Sequence, residues 1–178
     1  NQGNSKVTFW NDLTNNGTVQ VTSASTVAHF GTLAGEGSFT GGGTNFIEGG
    51  LSPGSSPGTM SFDGDLVLGS ASTTLMELSG TSSSEYDRIL VSGDMTLGGD
   101  LEVKLIDGFT PEVGNTFNLL SLEDGDELQG DFNDITGIKL DSDLTLVPVW
   151  SDNDLSLQGA VPGDANFDHV VDILDFGF

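Results

Sequence analysis

Apolar side chains recur at every second position in short bursts: Val7 and Phe9, Val19 and Val21, Met60 and Phe62, Leu66 and Leu68, Met76 and Leu78. The spacing returns at Ile89 and Val91, Met95 and Leu97, Leu101 through Val103 to Leu105, Phe117 and Leu119, Leu144 and Leu146, and Leu155 and Leu157. Successive side chains of a strand point to opposite faces, so such alternation turns one face of a pleated strand inward. Between the bursts stand Asn16-Gly17, Asp63-Gly64-Asp65, Gly98-Gly99-Asp100 and Asp124-Gly125-Asp126, residues that accept positive φ or bond their own backbone. Helical periodicity is missing over residues 1–160, where good helix formers are sparse. The pattern predicts an all-β fold of short strands and tight turns.

Spacing alone leaves two architectures open: a β-sandwich, and a solenoid whose turns stack at the ~4.8 Å strand spacing. The stretch Asn11-Asp12-Leu13-Thr14-Asn15-Asn16-Gly17-Thr18-Val19, with Gly50-Leu51-Ser52-Pro53-Gly54-Ser55-Ser56-Pro57-Gly58-Thr59-Met60, resembles the repeating passenger regions of bacterial autotransporters. Gly64-Asp65-Leu66-Val67-Leu68-Gly69-Ser70, Tyr86-Asp87-Arg88-Ile89 and Gly98-Gly99-Asp100-Leu101-Glu102-Val103 are similar to a pattern common in large exported proteins of planctomycete-like bacteria. The resemblance implies a right-handed parallel β-solenoid, with antiparallel pairing allowed in the C-terminal part and a β-sandwich as the alternative. Stacked turns suit this composition, because Asn, Ser and Thr form ladders and Gly fits the corners.

Gly41-Gly42-Gly43 and residues 52–58 read as loops, and the two Pro of the second predict a break between an irregular first portion and a more regular second one. The sharper boundary is Ala160-Val161-Pro162-Gly163, dividing a solenoid domain (1–160) from a short tail (161–178). Ser5-Lys6-Val7-Thr8-Phe9-Trp10 already reads as a strand with no cap before it. A bare terminal turn leaves N–H and C=O groups unpaired, so backbone at either extremity of the stack is expected to recruit other copies of the chain.

Charge narrows the partners. Across 178 residues Lys+Arg number 4 against 27 Asp+Glu, a net charge of −23. Such a polyanion repels phosphate backbones and anionic lipid, which argues against nucleic acid, and no apolar run is long enough for membrane insertion by a helix. The chain has no Cys, which removes disulfide scaffolds and thiolate chemistry together. An extracellular, secreted or cell-surface location is expected.

The tail carries the sharpest chemistry. From Asp164 to Asp175, oxygen-bearing side chains occupy loop positions 1, 3, 5, 9 and 12 as Asp164, Asn166, Asp168, Asp172 and Asp175, and Val170 at position 7 offers its carbonyl. Calcium takes six or more hard oxygens in this arrangement. The spacing, the Asp at position 12, Val171 at position 8 and the leading Pro162-Gly163 resemble the first half of a type I dockerin. That resemblance implies calcium held by those five side chains and a cohesin partner. His169 replaces the usual Gly at position 6, and the second dockerin repeat is missing from this sequence. His169 is expected to be a turn residue. Val170, Val171, Ile173, Leu174, Phe176 and Phe178 form an apolar tail that must dock, as a helix on the solenoid end or as a strand given to a neighbouring copy.

Catalytic constellations are weak. The pairs Asp124 with Asp126, Asp141 with Asp143, and Asp152 with Asp154 could divide acid and base roles, yet each sits at a turn signal. Of the four cations Lys6, Arg88, Lys104 and Lys139, Arg88 is expected to pair with Asp87 or Glu85 on the surface. His29 is expected in a strand with a local hydrogen bond, and Trp10 and Trp150 as strand anchors that could alternatively stack on sugars. No enzyme is expected. The leading expectation is a self-associating structural module of a surface layer, adhesin or filament with a calcium-ordered tail. The alternative is a carbohydrate-associated module that binds polysaccharide, either a dockerin-bearing accessory protein or a degenerate pectate-type β-helix enzyme.

Overall fold

In the computed structural model, which describes residues 4–123, 126–164, 166, 170, 171 and 175, three short strands make one coil. The first coil is β1 (Lys6–Phe9), β2 (Leu13–Thr14) and β3 (Thr18–Gln20); the second is β4 (Thr26–His29), β5 (Leu33–Gly35) and β6 (Ser38–Thr40). The third holds β7 (Thr44–Ile47), β8 (Gly50–Pro53) and β9 (Thr59–Phe62), and the fourth β10 (Leu66–Leu68), β11 (Thr73–Leu78) and β12 (Arg88–Val91). The fifth holds β13 (Met95–Leu97), β14 (Asp100–Leu105) and β15 (Thr116–Leu122). Next come β16 (Leu128–Gly130), β17 (Asp134–Thr136), β18 (Thr145–Trp150) and β19 (Asp154–Ala160).

Equivalent strands of successive coils pair in parallel. They build two six-stranded sheets, β1-β4-β7-β10-β13-β16 and β2-β5-β8-β11-β14-β17, and a seven-stranded third, β3-β6-β9-β12-β15-β19-β18. The chain is a parallel β-solenoid; among the described strands β19 pairs antiparallel with β15 and β18, and isolated antiparallel bridges occur at corners such as Gly35 with Gly54. The sandwich alternative is set aside.

Period-two alternation explains the core, because every inward residue sits in register on one from the coil below. Leu13, Leu33 and Leu51 stack on one face. On another, Phe39 meets Phe62, and Phe62 meets Val91. The Phe39 and Phe62 rings stack at 5.0 Å and 11°, both almost wholly buried. In-register stacking turns a thin cross-section into one continuous apolar column.

Corners are built from small and acidic residues for a reason that the coil spacing makes plain. A Cβ on Gly64 would lie 2.1 Å from the Gly43 carbonyl oxygen, so neighbouring corners approach too closely for any side chain there. Carboxylates then reach from one coil to the backbone of the next. Asp12 accepts the Thr32 N–H (2.8 Å), Asp65 the Asp94 N–H (3.3 Å) and Asp94 the Glu127 N–H (3.0 Å). Asn15, nearly buried, accepts the Gly17 N–H (3.0 Å) and donates to the Ser38 carbonyl (3.3 Å).

Residues 52–58 are not the break that their Pro content suggests. Pro53 ends β8, which pairs with the strands on both sides of it, and β9 resumes the coil at Thr59. The regularity also runs the other way. Register partners are 20, 18 and 21 residues apart in the early coils (Lys6 with Thr26, Thr26 with Thr44, Asn45 with Leu66), then 29 and 33 (Leu66 with Met95, Met95 with Leu128). The added residues bulge between β11 and β12 and between β14 and β15.

The two ends differ, although the sequence treats both as bare. At the C-terminal end β19 lies antiparallel on β15, β18 adds one further strand, and Phe132, Ile138 and Leu140 pack against the core. Pro148 within β18 removes one N–H from that outermost edge. At the other end no strand among the described residues pairs with the outward edges of β1, β2 and β3; Val7 is 49% exposed, and Phe9, Leu13 and Val19 are half-buried against the core.

Candidate functional site

Three places merit a chemical reading: the start of the tail, a buried carboxylate between the third and fourth coils, and the aromatic corner of the first coil.

The tail begins where β19 ends. Gly163 has φ +98°, a conformation that L side chains rarely adopt, so Pro162-Gly163 turns the chain as only Gly allows. Asp164 follows, 4% exposed, with its N–H donated to the Val161 carbonyl (3.0 Å). The N–H of Asn166 donates to a carboxylate oxygen of Asp175 (3.3 Å), joining loop positions 3 and 12. Val171 at position 8 lies against Gly163, its methyl 3.4 Å from where a Cβ there would stand. Val170 is exposed. Asp168 and Asp172 lie outside the described residues, as do His169, Ile173, Leu174, Phe176 and Phe178. Among the described residues no three His, Cys, Asp or Glu side chains converge. Asp164 also lines an open groove of about 460 Å³ with Thr145, Val147, Pro148, Val149, Val161 and Gly163.

The buried carboxylate is one the sequence misassigns. Asp87 is 0% exposed, and its two oxygens accept the backbone N–H groups of Gly58 (2.7 Å) and Glu77 (2.9 Å). It therefore clamps the 53–58 corner to β11 and is not a surface partner of Arg88. The ion pair found among the described residues is Lys104 with Glu77, at 2.8 Å, and Arg88 Nε is buried without a hydrogen bond. Glu85 instead accepts the Ser82 N–H (2.9 Å). Burial pushes the Asp87 carboxyl up to about 6, against the pull of its two backbone donors, and the nearby Glu77 charge adds to the rise. Burial would raise Glu77 too, but hydrogen bonds from Lys104 and Ser56 outweigh it and hold that carboxyl below its ordinary value. With both oxygens of Asp87 committed to backbone, the cluster ties two coils together and offers a substrate no free acid.

The remaining candidates separate. Asp141 accepts the N–H groups of Asp143 (2.7 Å) and Leu144 (2.8 Å), as a turn residue does. Asp154 lies in β19, where it accepts the Ser121 hydroxyl (2.6 Å), while Asp124 lies outside the described residues. His29 sits in β4 as expected, but neither ring nitrogen has a hydrogen bond. It stacks on Phe9 at 5.4 Å, and burial lowers its pKa to about 4, which keeps it neutral in the core. Trp10 is no strand anchor: it follows β1, is 72% exposed, and stacks on Phe30 at 4.6 Å and 23°. Trp150 ends β18 and is also exposed. No sequence signal marked Asp87 as buried, because burial there depends on the 53–58 corner folding back over it. Compared with known families and curated proteins, the chain matches no family model and no curated protein.

Proposed function

We propose that this chain is an extracellular, non-catalytic structural module of a bacterial surface layer, adhesin or filament, which associates with copies of itself and has a C-terminal tail ordered by calcium. The observation that carries the reading is the first coil, where no strand among the described residues pairs with the outward edges of β1, β2 and β3 and exposed Val7 lies beside half-buried Phe9, Leu13 and Val19. Strand edges in water are templates for further strands. Asp12, Asp65 and Asp94 serve as corner caps, so their acidity has a structural use without any catalytic role.

Calcium would be held at the tail by Asp164, Asn166, Asp168, Asp172 and Asp175, with the Val170 carbonyl. The contact between the Asn166 N–H and Asp175 supports closure of that loop. Titration of the full chain with calcium is expected to give one site per chain, a smaller hydrodynamic radius on binding, and reversal by chelator. Bound metal raises stability by about 2.7 kcal/mol at a hundred times Kd. Asp164→Ala should abolish the heat of binding while leaving the β circular dichroism intact. A wild-type chain that gives no heat with calcium removes the metal from the proposal.

A second reading rests on Trp10 stacked on Phe30, an exposed aromatic platform of the kind that pyranose rings pack against. Under it, the chain is retained by insoluble polysaccharide and Trp10→Ala abolishes retention. Equal elution of wild type and variant leaves the structural role alone.

A further inference from the structure

Two buried titratable groups of opposite kind sit in different coils. His29, on β4, is 1% exposed and lies in register between Phe9 of the first coil and Ile47 of the third. Its ring stacks on Phe9 at 5.4 Å and meets Phe39 of β6 edge-on at 5.7 Å. Neither ring nitrogen has a hydrogen bond, and neither reaches the idle Oδ1 of Asn45, two residues before Ile47 on β7. Among the described residues of β1, β4, β6 and β7 no charge faces the ring. Lys6 on β1 is exposed, and the Glu48 carboxylate, just past β7, lies where a Cβ on Gly69 of the next corner would stand.

A second proton on that imidazole brings a charge and two N–H donors into a site with no acceptor and no counter-ion. The face of Phe9 returns only part of the cost. Opening the surrounding coils, which lets the imidazolium reach water, is the cheaper course. Asp87 responds the other way. It is 0% exposed and faces Glu77 of β11, whose carboxylate pairs with Lys104 of β14. Glu36, from the corner before β6, packs against Gly58, whose N–H Asp87 accepts, and Arg88 beside Asp87 has no ion pair among the described residues. A proton on Asp87 therefore removes a buried charge.

Because each coil touches only its neighbours, the two responses stay local. We propose that His29 and Asp87 make the solenoid a graded acid switch, in which acid loosens β1 to β6 and tightens β8 to β12, so that stability moves along the stack. Burial lowers His29 from its ordinary 6.5 to about 4, so the unfolded chain takes the proton first. Its contribution is fully present above about pH 6.5 and is lost as pH falls toward 4. Burial raises Asp87 from 3.8 to about 6, so its contribution grows over nearly the same interval of falling pH. In a whole-chain unfolding midpoint the two oppose each other. Only a local readout separates them.

Amide exchange of the full chain at about pH 7 and about pH 4.5, corrected for the intrinsic rate at each pH, reads the coils separately. On acidification, protection in β1 to β6 is expected to fall by about tenfold or more, while protection in β8 to β12 rises. His29→Phe keeps a ring in the column and cannot titrate, so β1 to β6 should hold their protection in acid while β8 to β12 respond as in wild type. Asp87→Asn should do the reverse. If the larger ring overfills the site, which a loss of protection already at neutral pH would reveal, His29→Leu makes the same comparison. Equal changes in all coils, or an acid response of β1 to β6 that survives removal of the imidazole, overturns the switch.

Discussion

Phe62→Ala is expected to be the most damaging single side-chain truncation, lowering stability by about 3–5 kcal/mol, the range for removing a buried aromatic ring. Phe62 is 1% exposed, lies in register between Phe39 and Val91, and stacks on Phe39 at 5.0 Å. Its stacking partners come from the one coil on either side, held in register by their own strands, so little can collapse into the space. Because each coil touches only its neighbours, the loss falls on one interface of a nearly one-dimensional array. Residues 6–40 should then fray from the coils above. Urea unfolding followed by circular dichroism should lose its single cooperative step, and amide exchange should quicken in β1 to β6 before β10 to β15. Val7→Ala, at a residue already 49% exposed, should change little. Comparable losses for the two variants, or a uniform rise in exchange along the chain, would contradict the stacked-coil account.

The strands themselves are legible in the sequence because alternation depends only on neighbours two residues apart. Met60 and Phe62, Leu66 and Leu68, and Ile89 and Val91 are all buried in strands. The coil is harder to read, since the register spacing drifts from 18 to 33 residues as the corners after β11 and β14 lengthen. A trace of the repeat does survive. Gly64-Asp65 and Gly93-Asp94 open β10 and β13 at matching places, and each Asp caps the N–H of the next coil. The acidic corners look like candidate chemistry in sequence because their acceptor role involves a backbone group about 20 to 33 residues away. The C-terminal cap is invisible for a related reason. Nothing local tells β19 to run antiparallel to β15, because Leu155 and Leu157 alternate inward in either direction of the strand.

Asp87 gives the largest expected dependence on pH. Its ordinary value of 3.8 rises to about 6 in the folded chain, chiefly by burial. A carboxyl whose folded pKa lies above its unfolded one binds its proton more tightly when folded. Its contribution is therefore fully present below about pH 4 and is lost as pH rises through about 6. The loss amounts to as much as about 3 kcal/mol by pH 7.5. Glu77 stays ionised through this window, because Lys104 and Ser56 hold its carboxyl below the ordinary value. General repulsion within a chain of net charge −23 grows in the same direction, so wild type alone does not isolate the effect. Asp87→Asn does. The amide cannot ionise; its oxygen still accepts one of the two N–H groups, and its NH2 faces the other, at a cost of about 1–3 kcal/mol. Urea midpoints should place the variant well below wild type near pH 4.5, and the gap should close by about 2 kcal/mol as pH rises from there past 6. A gap that stays constant across that range would mean that Asp87 does not titrate there, and that its two backbone hydrogen bonds compensate its burial fully.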